Sequence, residues 1–522
     1  LSMDNKLRLS LKYSLTMPYH DSKGNQIRSG LEPLVTNSLV DRSNDDLKNG
    51  ARPNYSFIRA HDSEVQTVIA DIIKQRIDPA SDGLVPTQAQ LDAAFKIYKE
   101  DQLKSSKEFT QYNIPSAYAL LLTNKDTVPR VYYGDLFTDD GDYMAEKSPY
   151  YDAIDNLLRS RIKYVSGGQK MAVQYMQGDQ SMAKNSYRGL LTSVRYGENA
   201  FTESDKGDQK TRNEGLAVIE SNDPTLKLNK NDNLVVNMGA AHKNQMYRPE
   251  LLSTIDGLQS YRNDDVPNEL IKKTNENGQL IFGPSEIFGI SDPQVSGYLS
   301  VWVPVGAQDD QDVRVAASKD RNRDGKTLHS NASLDSEVIY EAFSNFQSIP
   351  QENDRFMNFI IPKHLNLFND WGITNFELPP QYRSSDDNSF LDSIIKNGYA
   401  FTDRYDLGFN KPTKYGTVDQ LRNAIKALHS AGIKVMADWV PDQIYDLKGK
   451  QVVTARRVND SGIYDQDSVI DDSLYAAQIK GGGDYQAIYG GAFLNKIKAL
   501  YPWLFKVRQI STGLPMNPNE KI

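Results

Sequence analysis

The pattern that most constrains the fold of this chain is an alternation of helices with short apolar strands, interrupted by a long stretch of strands alone. In residues 1–167, a strand-like segment at 55–60 leads into a segment whose apolar residues recur at helical spacing. Short apolar runs separated by Gly, Asn and Asp then occupy residues 168–334 and predict an all-β domain.

The alternation returns in residues 335–445. The clearest helix follows Thr417, a residue type that caps first turns, and stops at Gly432, a residue type that ends helices. It leads into an apolar strand at 433–438. Helices alternating with strands on both sides of a β insertion predict an α/β fold, a parallel barrel interrupted by a second domain.

Composition narrows the classes of function. The 522 residues include 60 Lys and Arg against 68 Asp and Glu, a formal charge of −8 that argues against binding to nucleic-acid phosphates. The chain has no Cys, which excludes disulfides, thiolate metal ligands and Cys nucleophiles. The longest apolar run, 117–122, is far shorter than the ~20 residues of a membrane helix. We therefore expect no nucleic-acid partner and no transmembrane segment.

Acidic residues stand where several predicted strands end. These are Asp62, Asp135, Glu341, Glu377 and Asp438. In a parallel α/β barrel the active residues lie at the carboxyl ends of the strands. Clustered carboxylates surrounded by Tyr, Trp and Asn suit sugar chemistry, in which acids protonate a glycosidic oxygen and stabilise an oxocarbenium-like centre. The alternative is that these acids cap helices or pair with Arg.

Two segments resemble motifs of one known family. Residues 57–66, FIRAHDSEVQ, resemble motif IV of the glucansucrases, glycoside hydrolase family 70, and residues 437–445, ADWVPDQIY, resemble their motif I. Supporting similarity at 128–135 and 397–405 extends the resemblance over essentially the whole chain. Motif IV precedes motif I, which is the order of the circularly permuted barrel of that family, whereas the related α-amylases have the reverse order.

The resemblance implies a circularly permuted (β/α)8 barrel interrupted by a β-rich domain C, with part of a domain B. The implied divisions are the first part of the catalytic barrel, with motif IV, at 1–167, domain C at 168–334, the second part of the barrel, with motif I, at 335–445, and a domain B segment with the barrel edge at 446–522.

The family transfers the glucosyl unit of sucrose to a growing α-glucan and releases fructose. It uses a retaining double displacement with an Asp nucleophile and a Glu acid/base, which lie in motifs II and III. Neither motif is found in this sequence, so we expect an upstream segment of the same protein to supply both groups. The resemblance implies sucrose and α-glucan acceptors as partners, no organic cofactor, and an extracellular location, secreted or at the cell surface.

The resemblance also assigns individual residues. Asp62 matches the transition-state stabiliser, and His61 matches the neighbour that binds ring hydroxyls of the glucosyl unit. Asp442 matches a ligand of a structural Ca²⁺, a cation that prefers carboxylate oxygen. Gln443 stands where amylases have His, which favours a transferase. The residues that match the lining of the sucrose site are Arg59, His61, Gln66, Asn345, Asp392, Tyr399, Asp438 and Gln443.

The triplet after the catalytic Asp resembles that of many dextran- and mutan-forming members. Its residues, Ser63, Glu64 and Val65, are expected to shape the acceptor site and to influence the linkage that is made. The alternative for this segment is structural, because Asp62 or Ser63 could cap the helix that follows.

Two other functions remain open at this stage. An α-glucanotransferase of the same family would use malto-oligosaccharides rather than sucrose, and the two are distinguished by the motifs absent from this sequence. An inactive carbohydrate-binding fragment would keep part of a glucosyl pocket without a nucleophile.

Overall fold

The structure is a computed structural model, and it describes residues 3–17, 19–20, 26–27, 30–37, 54–125, 127–175, 189–197, 212–306, 331–403, 406–440, 445–446, 450–458, 464–475, 499–500 and 502–503. Two bodies of secondary structure dominate this part of the chain. One is a parallel sheet with helices around it, and the other is an antiparallel sheet whose described strands lie between positions 169 and 304.

The parallel sheet joins segments from both sides of the antiparallel one. The strands that come second and third in chain order lie side by side, with Ile339 opposite Arg130, although some 200 residues of chain separate them. The α/β class is therefore confirmed. The five described strands form an open row and do not close into a barrel. In spatial order they are Lys434–Ala437, Asn375–Leu378, Ile339–Glu341, Thr127–Tyr132 and Asn54–Ser56.

Helices follow the strands of the parallel sheet and cover it. The helix predicted after Thr417 is confirmed as Val418–Ser430, and the Thr417 side chain accepts a hydrogen bond from the Gln420 amide at 3.2 Å. Gly432 adopts a φ of 78°, a conformation that suits Gly at the end of a helix. The other described α-helices are Asn5–Leu11, Glu32–Thr36, Val65–Ile72, Gln88–Gln102, Ile114–Thr123, Tyr133–Leu136, Tyr151–Tyr164, Met357–Ile360, Leu365–Asp370 and Leu391–Ile394.

The antiparallel sheet packs one face against the helical part. Val218 and Leu299 on that face belong to the same apolar core as Leu157 and Leu158 of the helix Tyr151–Tyr164. The opposite face has a core of its own. In spatial order its main strands are Gly257–Ser260, Met246–Thr254, Ser296–Pro304, Leu216–Ser221, Leu190–Arg195 and Gln169–Gln174.

Shorter strands complete the described structure. Lys272–Lys273 and Ile290–Ser291 pair with the main antiparallel sheet. The two-stranded pairs are Tyr19–His20 with Gln26–Ile27, Leu234–Asn237 with Gln279–Phe282, Arg383–Ser384 with Phe401–Asp403, and Lys450–Val458 with Tyr464–Tyr475.

The last of these pairs is a long hairpin, and most of the rest of residues 446–522 lies outside the described part. The predicted domain divisions therefore stay predictions. Among the described residues no helix is both long and apolar enough to cross a membrane.

A buried ion pair joins the antiparallel sheet to the segment that re-enters the parallel sheet. Arg195 donates to both carboxylate oxygens of Asp335, at 3.0 and 2.5 Å. The same guanidinium donates to the carbonyl oxygens of Thr123 and Gly167. Because both side chains are buried, loss of either partner leaves an uncompensated charge.

Asp335→Ala is expected to lower the free energy of unfolding by about 3–5 kcal/mol, since the guanidinium of Arg195 stays buried without its counter-ion. The matched control is Arg355→Ala, which breaks exposed pairs with Asp142 and Glu352 and should cost less than about 1 kcal/mol. Urea denaturation followed by circular dichroism measures both. Equal losses in the two variants would contradict the role given to the buried pair.

Candidate active site

The carboxyl ends of three parallel strands bring two acids and one arginine together. The register sets Glu341 directly opposite Glu377 on the neighbouring strand. Arg130, from the strand on the other side of Glu341, donates through Nη2 to Glu341 Oε1 at 2.7 Å and through Nε to Glu377 Oε2 at 2.7 Å. The arginine therefore neutralises two acids that would otherwise repel each other in a buried place.

His61 lies on this array, in the turn that follows the strand Asn54–Ser56. Its Nδ1 is 2.6 Å from Glu341 Oε1, and its backbone N–H donates to the same oxygen at 3.2 Å. Burial by itself lowers the pKa of His61, but the hydrogen bond and charge of Glu341, with the charge of Asp62, outweigh it, so the pKa is raised. Asn345 Nδ2 donates to the His61 carbonyl oxygen at 3.2 Å and fixes the turn.

Tyr399 links His61 to Asp438. The Tyr399 Oη lies 2.8 Å from His61 Nε2, and its hydroxyl also donates to Asp438 Oδ2. Asp438 follows the strand Lys434–Ala437 and is half-buried. Burial raises the pKa of Asp438, and the Tyr399 hydrogen bond with the nearby His61 charge offsets only part of that rise.

A tight turn holds Tyr399 in place. Gly398 adopts a φ of 90°, and a Cβ at this position would lie 2.1 Å from the carbonyl oxygen of Pro380. Asn397 Oδ1 accepts from the Tyr399 amide at 3.1 Å, and its Nδ2 donates to Asp392 Oδ1 at 2.9 Å. The structure thus connects Asp392 to the site through Asn397 and the turn.

The remaining motif IV residues occupy different environments. Asp62 is exposed beside His61, and Gln66 is half-buried in the first turn of the helix Val65–Ile72. Arg59, by contrast, is 3% exposed and donates to Asp135 Oδ1 at 2.6 Å and Tyr98 Oη at 2.7 Å. These contacts give Arg59 a structural role, which is to bind Asp135 and Tyr98 in the protein interior. A contact of Arg59 with a sugar stays a prediction. For Asp135 the alternative of pairing with Arg is confirmed.

The triplet after Asp62 is held from below. Ser63 Oγ accepts from the backbone N–H of Ala60 at 2.9 Å. Glu64 has a φ of 64°, and its buried carboxylate accepts from Arg8 at 2.8 Å. Val65 is fully buried. Glu64 occupies the N-cap position without a side-chain capping bond, so the alternative of capping by Asp62 or Ser63 is wrong.

Two predicted residues lie outside the described part, Asp442 and Gln443. Within the described part, no group of three or more His, Cys, Asp or Glu side chains is arranged to hold a metal ion. The described residues therefore give no support for a Ca²⁺ site. The positions of Asp442 and Gln443 in the site stay predictions.

Sequence reasoning missed two cations of the site. Arg130 stands inside a strand, two residues before the last residue of that strand. Residues two apart in a strand lie on the same face of the sheet, and only this spacing could have indicated that Arg130 points to the same side as the strand-end residue. Lys414 is buried and donates to the carbonyl oxygens of Asn345 and Ile395, at 2.7 and 2.8 Å. Burial lowers the pKa of Lys414 to about 7. A single Lys in an irregular segment offers no sequence signal for such a role.

Carboxylates, an imidazole and a phenol at one edge of a parallel sheet form a polar site in an α/β protein, with donors and acceptors that suit a hydroxyl-rich ligand. The model of glycosyl hydrolase family 70 matches residues 1–522, and the chain belongs to that family.

Two relatives from Streptococcus mutans match over the whole chain. The chain is 57% identical over 525 residues to glucosyltransferase-S and 55% identical over 523 residues to glucosyltransferase-I. The matches cover 36% and 34% of those two proteins, so the chain spans about a third of the length of the curated relatives.

Solved structures of alternansucrase are similar as well. The complex of alternansucrase with isomaltotriose superposes with a TM-score of 0.80 at 42% identity, covering 100% of this chain and 48% of that one. The truncated alternansucrase of Leuconostoc mesenteroides gives the same values.

Gly398→Ala is expected to destabilise the protein more than Gly432→Ala. Both glycines have positive φ, 90° and 78°, so an alanine costs about 1–2 kcal/mol at either position. Only at 398 does the new Cβ also collide with the carbonyl oxygen of Pro380, since nothing lies within 4 Å of a Cβ at 432. Urea denaturation compares the two variants, and equal losses would contradict a steric requirement at Gly398.

Proposed function

We propose that this chain is the part of a glucansucrase that binds the glucosyl unit of sucrose while that unit is transferred to a growing α-glucan with release of fructose. The observation that carries the proposal is the linked array of Arg130, Glu341, His61, Tyr399 and Asp438 at the carboxyl edge of the parallel sheet. Membership of family 70 and the names of the relatives support it. So does the isomaltotriose held by alternansucrase in its complex.

Each group has a part in a retaining displacement. The exposed Asp62 carboxylate stabilises the positive charge that develops on the sugar ring. His61, Tyr399 and Asp438 bind sugar hydroxyls, and Gln66, Asn345, Asp392 and Gln443 complete the lining. The nucleophile and the acid/base come from an upstream segment, which agrees with the greater length of the relatives. The malto-oligosaccharide-using transferase is not favoured, because the named relatives are glucosyltransferases and alternansucrase.

The proposal includes a circularly permuted (β/α)8 barrel completed by that segment. The five described strands would be five of its eight. The strand Lys434–Ala437 at the end of the row supports this, because Met436 is 39% exposed and Trp439 beyond it is 64% exposed. Further strands would cover both side chains. The domain divisions at 167, 334 and 445 belong to the same proposal.

A calcium ion bound through Asp442 and an extracellular location are proposed on the family resemblance alone. Dialysis against a chelator tests the first, since loss of bound Ca²⁺ should lower the melting temperature of the full-length protein. An unchanged melting temperature after removal of all Ca²⁺ would argue against a structural site.

The experiment that tests the function incubates the full-length protein with sucrose and measures free fructose and free glucose separately. Fructose in clear excess over glucose is the expected result, because transfer retains the glucosyl unit in polymer. Equal amounts would indicate hydrolysis. Binding of α-glucan without release of either sugar would contradict the proposal and favour a carbohydrate-binding role.

Asp62→Asn is expected to reduce kcat for fructose release by at least about 10²–10³-fold, because a fixed negative charge beside the developing cation is lost. Folding should be unchanged, since the side chain is exposed. The matched control is Asp256→Asn, the same change at an exposed turn of the antiparallel sheet. Activity of Asp62→Asn within a few-fold of the control would count against the assigned role.

A further inference from the structure

Glu341 concentrates its contacts on one oxygen. The side chain is fully buried at the end of the third parallel strand. Its Oε1 meets His61 Nδ1 at 2.6 Å, the His61 backbone N–H at 3.2 Å and Arg130 Nη2 at 2.7 Å. Three polar partners on one carboxylate oxygen fix its direction.

The Glu341 carboxylate cannot move away from His61 without also breaking its bond to Arg130. Arg130 is held by Glu377 through two bonds, Nε to Oε2 at 2.7 Å and Nη2 to Oε1 at 2.9 Å. The rings of Phe343 and Tyr399 both pack against the imidazole, with centroids 4.9 and 5.2 Å from it. The orientation of His61 is thus set by packing and by Glu341 together.

The count of protons along the chain of contacts indicates the form of the imidazole. Tyr399 has one hydroxyl proton, and with Asp438 ionised that proton is donated to Asp438 Oδ2. A neutral His61 that donates Nδ1–H to Glu341 would present a bare Nε2 to the same hydroxyl, leaving two acceptors for one proton. A doubly protonated His61 removes the conflict, because Nε2–H then donates to Tyr399 Oη.

We propose that Glu341 is a positioning residue that holds the imidazole of His61 in its charged form, so that the hydrogen bonds run in one direction from His61 through Tyr399 to Asp438. The inference rests on the proposed function, since the array would then present a defined set of donors and acceptors to the glucosyl unit. Glu341 is fully buried and acts through His61.

The charges around His61 decide the sign of the pH dependence. Glu341 and Asp62 raise the pKa of the imidazole, whereas burial and the Arg130 charge lower it, and the net pKa is raised. Of the other charged groups nearby, Glu377 pairs with Arg130, and Asp438 is linked to His61 through the Tyr399 hydroxyl. Removing the Glu341 charge must therefore lower the pKa of His61. The charged form is then lost at a lower pH.

The test compares Glu341→Gln with Glu377→Gln in the full-length protein. Gln at 341 removes the charge on His61, and Arg130 keeps its bonds to Glu377, so no unpaired cation is left buried. Gln at 377 alters the partner of Arg130 without touching His61. Histidine labelled at Cε1, with His61→Asn to assign the resonance, reports the titration of His61 in each protein.

We expect His61 to titrate above its ordinary pKa of 6.5 in the wild type. In Glu341→Gln its titration should fall by about one to three pH units, and in Glu377→Gln by less. In Glu341→Gln the alkaline limb of the pH profile of kcat/KM for sucrose should shift to lower pH together with the His61 titration. Activity of this variant should recover toward acid pH. A role in folding alone would lower activity at every pH.

Two results would overturn the inference: a wild-type imidazole that is neutral at pH 6.5, or the same His61 titration in Glu341→Gln as in the wild type. The first needs no variant to fold. Both are measured without substrate, so they are independent of the proposed function, which fails instead if the wild type releases no fructose from sucrose.

Discussion

The contact on which the site depends is the bridge from Arg130 to Glu341 and Glu377. Parallel pairing in register brings the two carboxylates to the same level of neighbouring strands, where their charges would repel in a buried environment. A guanidinium presents its donors in a rigid planar fork, and here that fork bonds to Glu341 and bidentately to Glu377, a geometry that an ammonium group does not offer. With the acids neutralised, one oxygen of Glu341 is available to orient His61.

The bridge also explains why the antiparallel sheet can interrupt the chain without disturbing the site. Arg130 precedes the insertion and Glu341 follows it, 211 positions later. The inserted sheet shares an apolar core with the helix Tyr151–Tyr164, and Arg195 holds the returning segment through Asp335. The two halves of the parallel sheet are therefore aligned by apolar packing and by this ion pair as well as by the bridge.

What could be predicted from the sequence was local. The cap at Thr417, the all-β stretch and the acids at strand ends follow from patterns within about ten residues. The contacts that set the surroundings of the site residues join positions far apart in the chain, such as Arg59 with Asp135 and Lys414 with Asn345. A strand-end position is compatible with an acid exposed at the site and equally with an acid buried against an Arg. Burial and an Arg partner depend on packing that no local pattern specifies.

Glu64 is a motif residue whose carboxylate is bound by a distant part of the chain. Its carboxylate accepts from Arg8 of the helix Asn5–Leu11 and from Lys12 directly after that helix. Its positive φ, which is costly for a residue with a Cβ, is maintained by those bonds and by the burial of Val65 next to it. Asp62 is left as the exposed carboxylate of the turn. The predicted influence of the triplet on the acceptor side would therefore act through the backbone path that presents Asp62 and Ser63, and it stays a prediction.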